Sequence, residues 1–292
     1  MTLLQALLLG IIQGLTEFIP ISSTAHLVLA IRAMNLPLTP EQTTASMAVI
    51  QLGTLLAVLI YFAPDIWNIT RAFLRDHYVI LKDGRRDRFN RQNEHARLSP
   101  DAWLGWLIII GTIPVVIVGL LFKKQIEGTF TKNLWIIATM MIVVAVLLAI
   151  AEMVSKKRKR LQELGIGDAL AMGFAQCLAL IPGSSRSGST IMAGLFVGMT
   201  RETAARFSFL LSIPAIAASG LLELFEAIHK LPPGSLLNLA FGTIISGVVG
   251  YLSIWFLLRY LRTHSTGIFI GYRLLVGGAI LIALFLGRLS GL

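Results

Sequence analysis

Long apolar runs separated by short polar stretches dominate this chain of 292 residues. Six of them, at about 45–63, 103–122, 134–154, 207–226, 237–258 and 268–288, are long enough to cross a hydrocarbon core of about 30 Å as helices. Two further apolar segments, 1–30 and 168–196, are cut by Pro, Gly and Ser into pieces too short to span. They read as re-entrant helix pairs, because broken backbone at membrane depth is tolerated only when buried in protein or lining a polar cavity.

The two broken segments repeat one another. Gly10-Ile-Ile-Gln13-Gly-Leu15-Thr-Glu17-Phe-Ile-Pro20-Ile-Ser22-Ser23 aligns with Gly173-Phe-Ala-Gln176-Cys-Leu178-Ala-Leu-Ile-Pro182-Gly-Ser184-Ser185 with one residue of slippage. Further on, Pro40-Glu41-Gln-Thr-Thr-Ala-Ser46 is echoed by Thr200-Arg201-Glu202-Thr-Ala-Ala-Arg206. Three crossings follow each broken segment, so the second half enters the membrane from the opposite side. The expected fold is an all-α polytopic membrane protein: an inverted-topology repeat with six spanning helices plus two re-entrant helix pairs. Residues 1–292 form one membrane domain, with repeat one at 1–154 (re-entrant 1–30), a cytoplasmic loop at 64–102, a linker at 155–167 and repeat two at 168–292 (re-entrant 168–196). Repeats of this kind place ligand sites at the repeat interface, among unwound backbone and helix ends.

Composition agrees with the membrane reading and orients it. The chain is 55% hydrophobic, with a mean hydropathy of +0.78, more apolar surface than a soluble domain of this size buries. Lys and Arg number 25 against 15 Asp and Glu, and their placement in loops excludes nucleic acid as the partner. The basic residues of loop 64–102, the run Lys156-Lys-Arg-Lys-Arg160, Arg201, Arg206, Arg259 and Arg262 fall on one side. Arg32, Lys123, Lys124, Lys132, Lys230 and Arg288 fall on the other, while Arg186 and Arg273 lie at or inside membrane segments. The positive-inside rule then puts both termini outside, and it accounts for the Lys156–Arg160 run more simply than anionic lipid binding does. One cysteine, Cys177, rules out an intramolecular disulfide. The N-terminus lacks a basic n-region, so the first segment reads as mature protein and not as a cleaved signal.

The chemistry gathers at the breaks. Gln13 and Glu17, four residues apart, share a helix face. Pro20 ends that helix, Ser22 or Ser23 can cap the next, and His26 lies in its first turn. Ionisable groups at this depth are functional candidates by default. The second break, Pro182-Gly183-Ser184-Ser185-Arg186-Ser187-Gly-Ser-Thr190, joins flexible backbone, hydroxyls and a guanidinium at a helix start, a pattern suited to phosphate oxygens. It is not a Walker loop, lacking the Gly-Lys-Ser/Thr ending. Together the breaks offer an anion cradle facing a carboxylate and an imidazole. That combination suits phosphoryl transfer, while the layout equally suits a lipid-phosphate flippase or anion transporter. Glu17, with Gln13 as a second donor, is a thin metal site. Phosphate oxygens and water would have to complete the shell of a Mg²⁺ ion.

These motifs, together with Val49-Ile-Gln-Leu-Gly-Thr54 and Phe207-Ser-Phe-Leu-Leu-Ser-Ile-Pro214, resemble those of the undecaprenyl pyrophosphate phosphatases, the bacitracin-resistance protein family of bacteria. The resemblance runs over nearly the whole chain. It implies a multi-pass enzyme of the bacterial cytoplasmic (inner) membrane with its active site on the extracytoplasmic side. The reaction implied is removal of the terminal phosphate of undecaprenyl pyrophosphate, which recycles the lipid carrier for peptidoglycan and other envelope polymers. It also implies a divalent cation, Mg²⁺ or Ca²⁺, competition with bacitracin that sequesters the same substrate, and a homodimer as candidate assembly. By matching position the catalytic candidates are Glu17 as metal ligand or base, Ser23 as nucleophile, His26 as general acid/base and Arg186 as phosphate clamp. Gln13, Ser22, Gly183, Ser184, Ser185, Ser187 and Thr190 are the substrate-binding candidates. Position 13 is Glu in some members of the family and Gln here.

Overall fold

The computed structural model describes residues 1–83, 98–122, 132–230 and 236–291, without the side chains of 40, 41, 83, 219, 221–230 and 236. Among these residues every regular element is helical, apart from one isolated bridge between Lys159 and Met199. The helices are α1 (Leu3–Phe18), α2 (Ser23–Ala33), α3 (Pro40–Tyr61), α4 (Ala63–Asp83), α5 (Pro100–Leu121) and α6 (Leu134–Val154) in the first half. The second half holds α7 (Ile166–Cys177), α8 (Arg186–Phe196), α9 (Arg201–Lys230), α10 (Leu236–Thr263) and α11 (Gly267–Phe285).

Most helix starts follow from a polar residue at the boundary. Thr2 and Thr39 each form a reciprocal capping box, with Gln5 and Gln42. Ser99 and Asn133 cap α5 and α6, and Pro40 and Pro100 sit at first helical positions, where no N–H is needed. Thr39 is why α3 begins five residues before the apolar run that predicts it.

Five helices, α3, α5, α6, α10 and α11, are long and apolar enough to cross a membrane. Their outward faces carry Ile109, Ile113 and Ile117 on α5, Val143 and Ile150 on α6, and Leu252 and Trp255 on α10, all exposed. Such surfaces are stable in lipid and not in water, so the protein is a multi-pass membrane protein. The sixth expected crossing, 207–226, falls inside α9, many of whose later side chains lie outside the described set.

Residues 64–83 depart from expectation. Predicted to open a solvated connector, they form α4, because Ile66, Ile69, Phe73 and His77 recur at helical spacing on one face. Ile69 and Phe73 pack over Gly105 of α5, the Trp106 indole donates to His77 Nε2 at 3.0 Å, and the Ser99 amide donates to Asp76 at 2.8 Å. Arg85, Arg86, Arg88, Arg91 and Arg97, which carried much of the charge argument, lie outside the described residues.

The broken helices are wedged between long ones through small residues. α1 packs chiefly on α10, and α7 on α5. A Cβ at Gly10 would collide with the Gly242 carbonyl, and one at Gly173 with the Gly111 carbonyl, so backbones meet directly, as small residues allow between membrane helices. Charges collect at the two ends of the bundle. At one, Arg201 pairs with Glu152, Arg206 with Asp65 and Arg262 with Glu202. At the other, Arg32 donates to the carbonyls of Lys132 and Ser290. Of the basic residues that the sequence groups on one side, Lys157, Arg160, Arg201, Arg206 and Arg262 line one pocket.

Candidate active site

The two breaks are built alike. Pro20 cannot continue α1, and Ser22 caps α2 with φ of 79°, its Oγ accepting the Ala25 amide at 3.4 Å. In the second half a short 3-10 turn (Leu178–Leu180) leads to Pro182, and Ser185 caps α8 with φ of 68°, accepting the Gly188 amide at 3.1 Å. Gln13 precedes Ser22, and Gln176 precedes Ser185, by nine residues. The caps therefore correspond, and the one-residue slippage in the sequence repeat sits at the prolines. Gly183, with φ of 91°, lies where a Cβ would strike the Ile137 carbonyl. Non-glycine residues with such φ cost about 1–3 kcal/mol each and persist where surrounding structure imposes them, commonly at functional sites.

Between the breaks lies a cavity of about 250 Å³. Gln13, Glu17, Ser22, Ser23 and Gln51 line one side, Gly183, Ser185 and Arg186 the other, and Leu27, Val28, Met47 and Leu180 give it apolar edges. Lys132 and Thr44 also line it, which places it toward the end of the bundle that holds Arg32 and Ser290.

Glu17 is the centre of the arrangement. It is 7% exposed, and each carboxylate oxygen accepts two hydrogen bonds. Oε2 receives Gln13 Nε2 at 2.8 Å and Ser23 Oγ at 3.0 Å. Oε1 receives Gln51 Nε2 at 3.0 Å and Arg186 Nη2 at 2.9 Å. A buried carboxylate needs such partners, and here they come from α1, α2, α3 and α8. The other end of the Arg186 fork, Nη1, is buried and has no hydrogen-bond partner.

The remaining candidates divide between cavity and scaffold. Ser22 and Ser185 line the cavity, but both hydroxyls serve as caps. Ser184 donates to the Ile181 carbonyl at 2.8 Å and is fully buried. Ser187 reaches the Glu17 and Ile19 carbonyls at 3.5 and 3.4 Å. Thr190 bonds the Arg186 carbonyl at 2.8 Å and Ser208 Oγ at 2.6 Å. These three hold the second break in shape and are not among the cavity-lining residues. His26, expected as the acid/base, is also not among them. Its Nδ1 lies 2.7 Å from the Ser22 carbonyl, an acceptor only, so Nδ1 carries the proton and Nε2 accepts from the Tyr272 hydroxyl at 2.7 Å. Neither Gln51 nor Tyr272 is among the site residues expected from the sequence. Gln51 was legible as a lone amide within an apolar span; Tyr272 had no comparable signal.

Among the described residues no three His, Cys, Asp or Glu side chains cluster to hold a metal. Among the described residues Glu17 is the one carboxylate lining the cavity, and each of its oxygens already accepts two hydrogen bonds. A hard cation would take most of its oxygen ligands from elsewhere.

Residues 6–279 match the family described as bacitracin resistance protein BacA. The undecaprenyl-diphosphatase of Syntrophobacter fumaroxidans is 53% identical over 287 residues, 98% of each chain. Those of Chloroherpeton thalassium and Mycolicibacterium gilvum are 48% and 44% identical, covering 99% and 100% of both chains. With a family match that includes both breaks and nearly every helix, the chain belongs to the bacitracin resistance protein BacA family.

Proposed function

We propose that the protein is an undecaprenyl-diphosphatase, hydrolysing undecaprenyl pyrophosphate to undecaprenyl phosphate and inorganic phosphate. The observation that carries the chemistry is the line Ser23–Glu17–Arg186, a hydroxyl donating to a buried carboxylate that also holds one end of a guanidinium fork. A nucleophile within hydrogen-bond reach of its base, with the base held by a third group, is the arrangement nucleophilic catalysis requires. The cavity has room for a diphosphate head, and its apolar edges lead the prenyl chain out toward lipid.

In this reading Ser23 Oγ attacks the terminal phosphorus while Glu17 takes its proton. The bond from that phosphorus to the bridging oxygen breaks, and undecaprenyl phosphate leaves. Water then attacks the phosphoserine, the serine oxygen leaves and recovers a proton, and inorganic phosphate is released. Arg186, which lines the cavity, meets the charge that develops on the phosphoryl oxygens, and Ser185 and the α8 start add donors. His26 keeps the first break in place and makes no contact with the reacting atoms. A divalent cation, Mg²⁺ or Ca²⁺, would be held on the protein side by Glu17 and the amide oxygens of Gln13 and Gln51, with phosphate oxygens and water completing its shell. When bound it neutralises phosphate charge.

The wider reading is an inverted repeat of six crossings and two re-entrant pairs, supported by matching caps and by α1 on α10 mirroring α7 on α5. With both termini outside, the cavity faces the extracytoplasmic side of the inner membrane. There the enzyme would consume the pyrophosphate that bacitracin sequesters and return the carrier for peptidoglycan synthesis. A homodimer is the assembly we propose. The names of the relatives favour catalysis over transport, and detergent separates the two, since no compartments exist there. Purified protein with undecaprenyl pyrophosphate and Mg²⁺ should release inorganic phosphate; no release from folded protein would sink the reading.

A further inference from the structure

Arg273, in the middle of α11, is fully buried and the largest such side chain among the described residues. Among them no carboxylate pairs with it. A cation at this depth without a counter-ion is costly and tends to be functional. Its donors identify what it organises. Nη1 donates to the Pro20 carbonyl at 3.3 Å, and Nη2 to the Gly183 and Ser184 carbonyls, each at 3.0 Å. Nε reaches the Met141 carbonyl at 3.1 Å and Nη2 the Met140 carbonyl at 3.3 Å. One guanidinium thus ties the last carbonyls of both breaks to each other and to the wall of α6. Beside it Tyr272 reaches the first break by a second route, through His26 to the Ser22 carbonyl.

We propose that Arg273, assisted by Tyr272, is a positioning residue of the site, setting the distance between the break that carries Glu17 and Ser23 and the break that carries Ser185 and Arg186. It touches none of the reacting groups. A planar fork is needed because the acceptors come from three directions, which the point charge of a lysine cannot serve together. The inference rests on the phosphatase reading, since what it sets is the approach of nucleophile and clamp. Displacement by about 1 Å is enough to cost 10²-fold in rate.

The test measures kcat and KM for phosphate release from undecaprenyl pyrophosphate, with thermal unfolding, for the full chain in detergent and its Arg273→Lys and Tyr272→Phe variants. Folded Arg273→Lys should lose about 10²-fold in kcat with KM nearly unchanged, because charge and bulk remain and only the geometry is lost. Tyr272→Phe should unfold at nearly the wild-type temperature and lose a smaller factor, again in kcat. Folded Arg273→Lys within threefold of wild-type kcat overturns the proposal. If that variant does not fold, Tyr272→Phe decides, and full kcat there overturns it as well. An inactive wild type would count against the phosphatase reading itself, which separates the two failures.

Discussion

Replacing Arg186 is the sharpest probe of the site, because its two ends have different tasks. Nη2 holds Glu17, and Nη1 is buried without a hydrogen-bond partner. Arg186→Ala removes both. The loss of one preorganised donor to developing charge costs about 10²–10³ in kcat, or roughly 2.7–4 kcal/mol. Folding should survive, since Glu17 keeps Gln13, Ser23 and Gln51 as donors. Breaking a fully buried pair costs about 3–5 kcal/mol, but the Arg186 side chain is 21% exposed, so the stability loss should be nearer that of one charged hydrogen bond, about 1.5–3 kcal/mol. Arg186→Lys discriminates further, because an ammonium at that distance can serve Glu17 or the phosphate but does not span both. It should therefore fold as well as wild type and still lose most of its kcat. The assay is phosphate release under saturating undecaprenyl pyrophosphate and Mg²⁺, with thermal unfolding measured on the same preparations. An alanine variant within about threefold of wild-type kcat would remove Arg186 from the reaction, and a fully active lysine variant would refute the divided fork.

Three other expectations follow from the same geometry. Chelator should stop turnover without lowering the unfolding temperature, and Glu17→Gln should lose activity while its residue of turnover needs more Mg²⁺; Gln13→Glu should be tolerated and need less. An unchanged Mg²⁺ requirement in Glu17→Gln would make Glu17 a base and positioner without a share in the metal. Gln176, the counterpart of Gln13, is 1% exposed with both amide atoms unpartnered, so Gln176→Met should raise stability by about 1–3 kcal/mol with turnover intact, and a drop in either would assign that amide a task. A reporter fused after Leu292 should appear outside the cell and a cysteine in place of Arg88 should label only from the cytoplasm; the opposite pattern would reverse the orientation.

Much of this arrangement is legible in residue order, and the exceptions have physical causes. The breaks announce themselves through Pro20 and Pro182, and Glu17 and Arg186 stand out because ionisable groups in apolar segments are rare. Spacing alone could not decide between Ser22 and Ser23 as the cap, since that choice turns on a left-handed φ at one serine. The same φ sets the start of α2, and α2 presents Ser23 to Glu17 and turns His26 to Tyr272 on α11. No local pattern carries that information, because it depends on which helix lies alongside. α4 is hidden differently: its apolar stripe is short and mixed with charge, and the surface it packs on belongs to α5, further along the chain. Arg273 was visible as a cation inside a span, yet its partners are backbone carbonyls, which the identities of distant residues do not reveal.

The two halves are alike at their breaks but differ in the side chains they bring to the cavity. Both breaks present a capping serine and a glutamine nine residues before it. Only the first half places a carboxylate in reach, and only the second follows its cap with arginine, at the position Ser23 holds after Ser22. Folding the halves together brings Ser23 and Arg186, the first helical residues after equivalent caps, onto opposite oxygens of Glu17. Three of the donors to that carboxylate, Gln13, Ser23 and Gln51, come from the first half and one, Arg186, from the second. Glu17 therefore links the halves at the two groups proposed as nucleophile and phosphate clamp. The fourfold coordination that stabilises its charge in the resting site also leaves one guanidinium nitrogen without a partner. In the proposed reaction, uncovering that buried nitrogen would offer a phosphate oxygen a donor with no partner to give up.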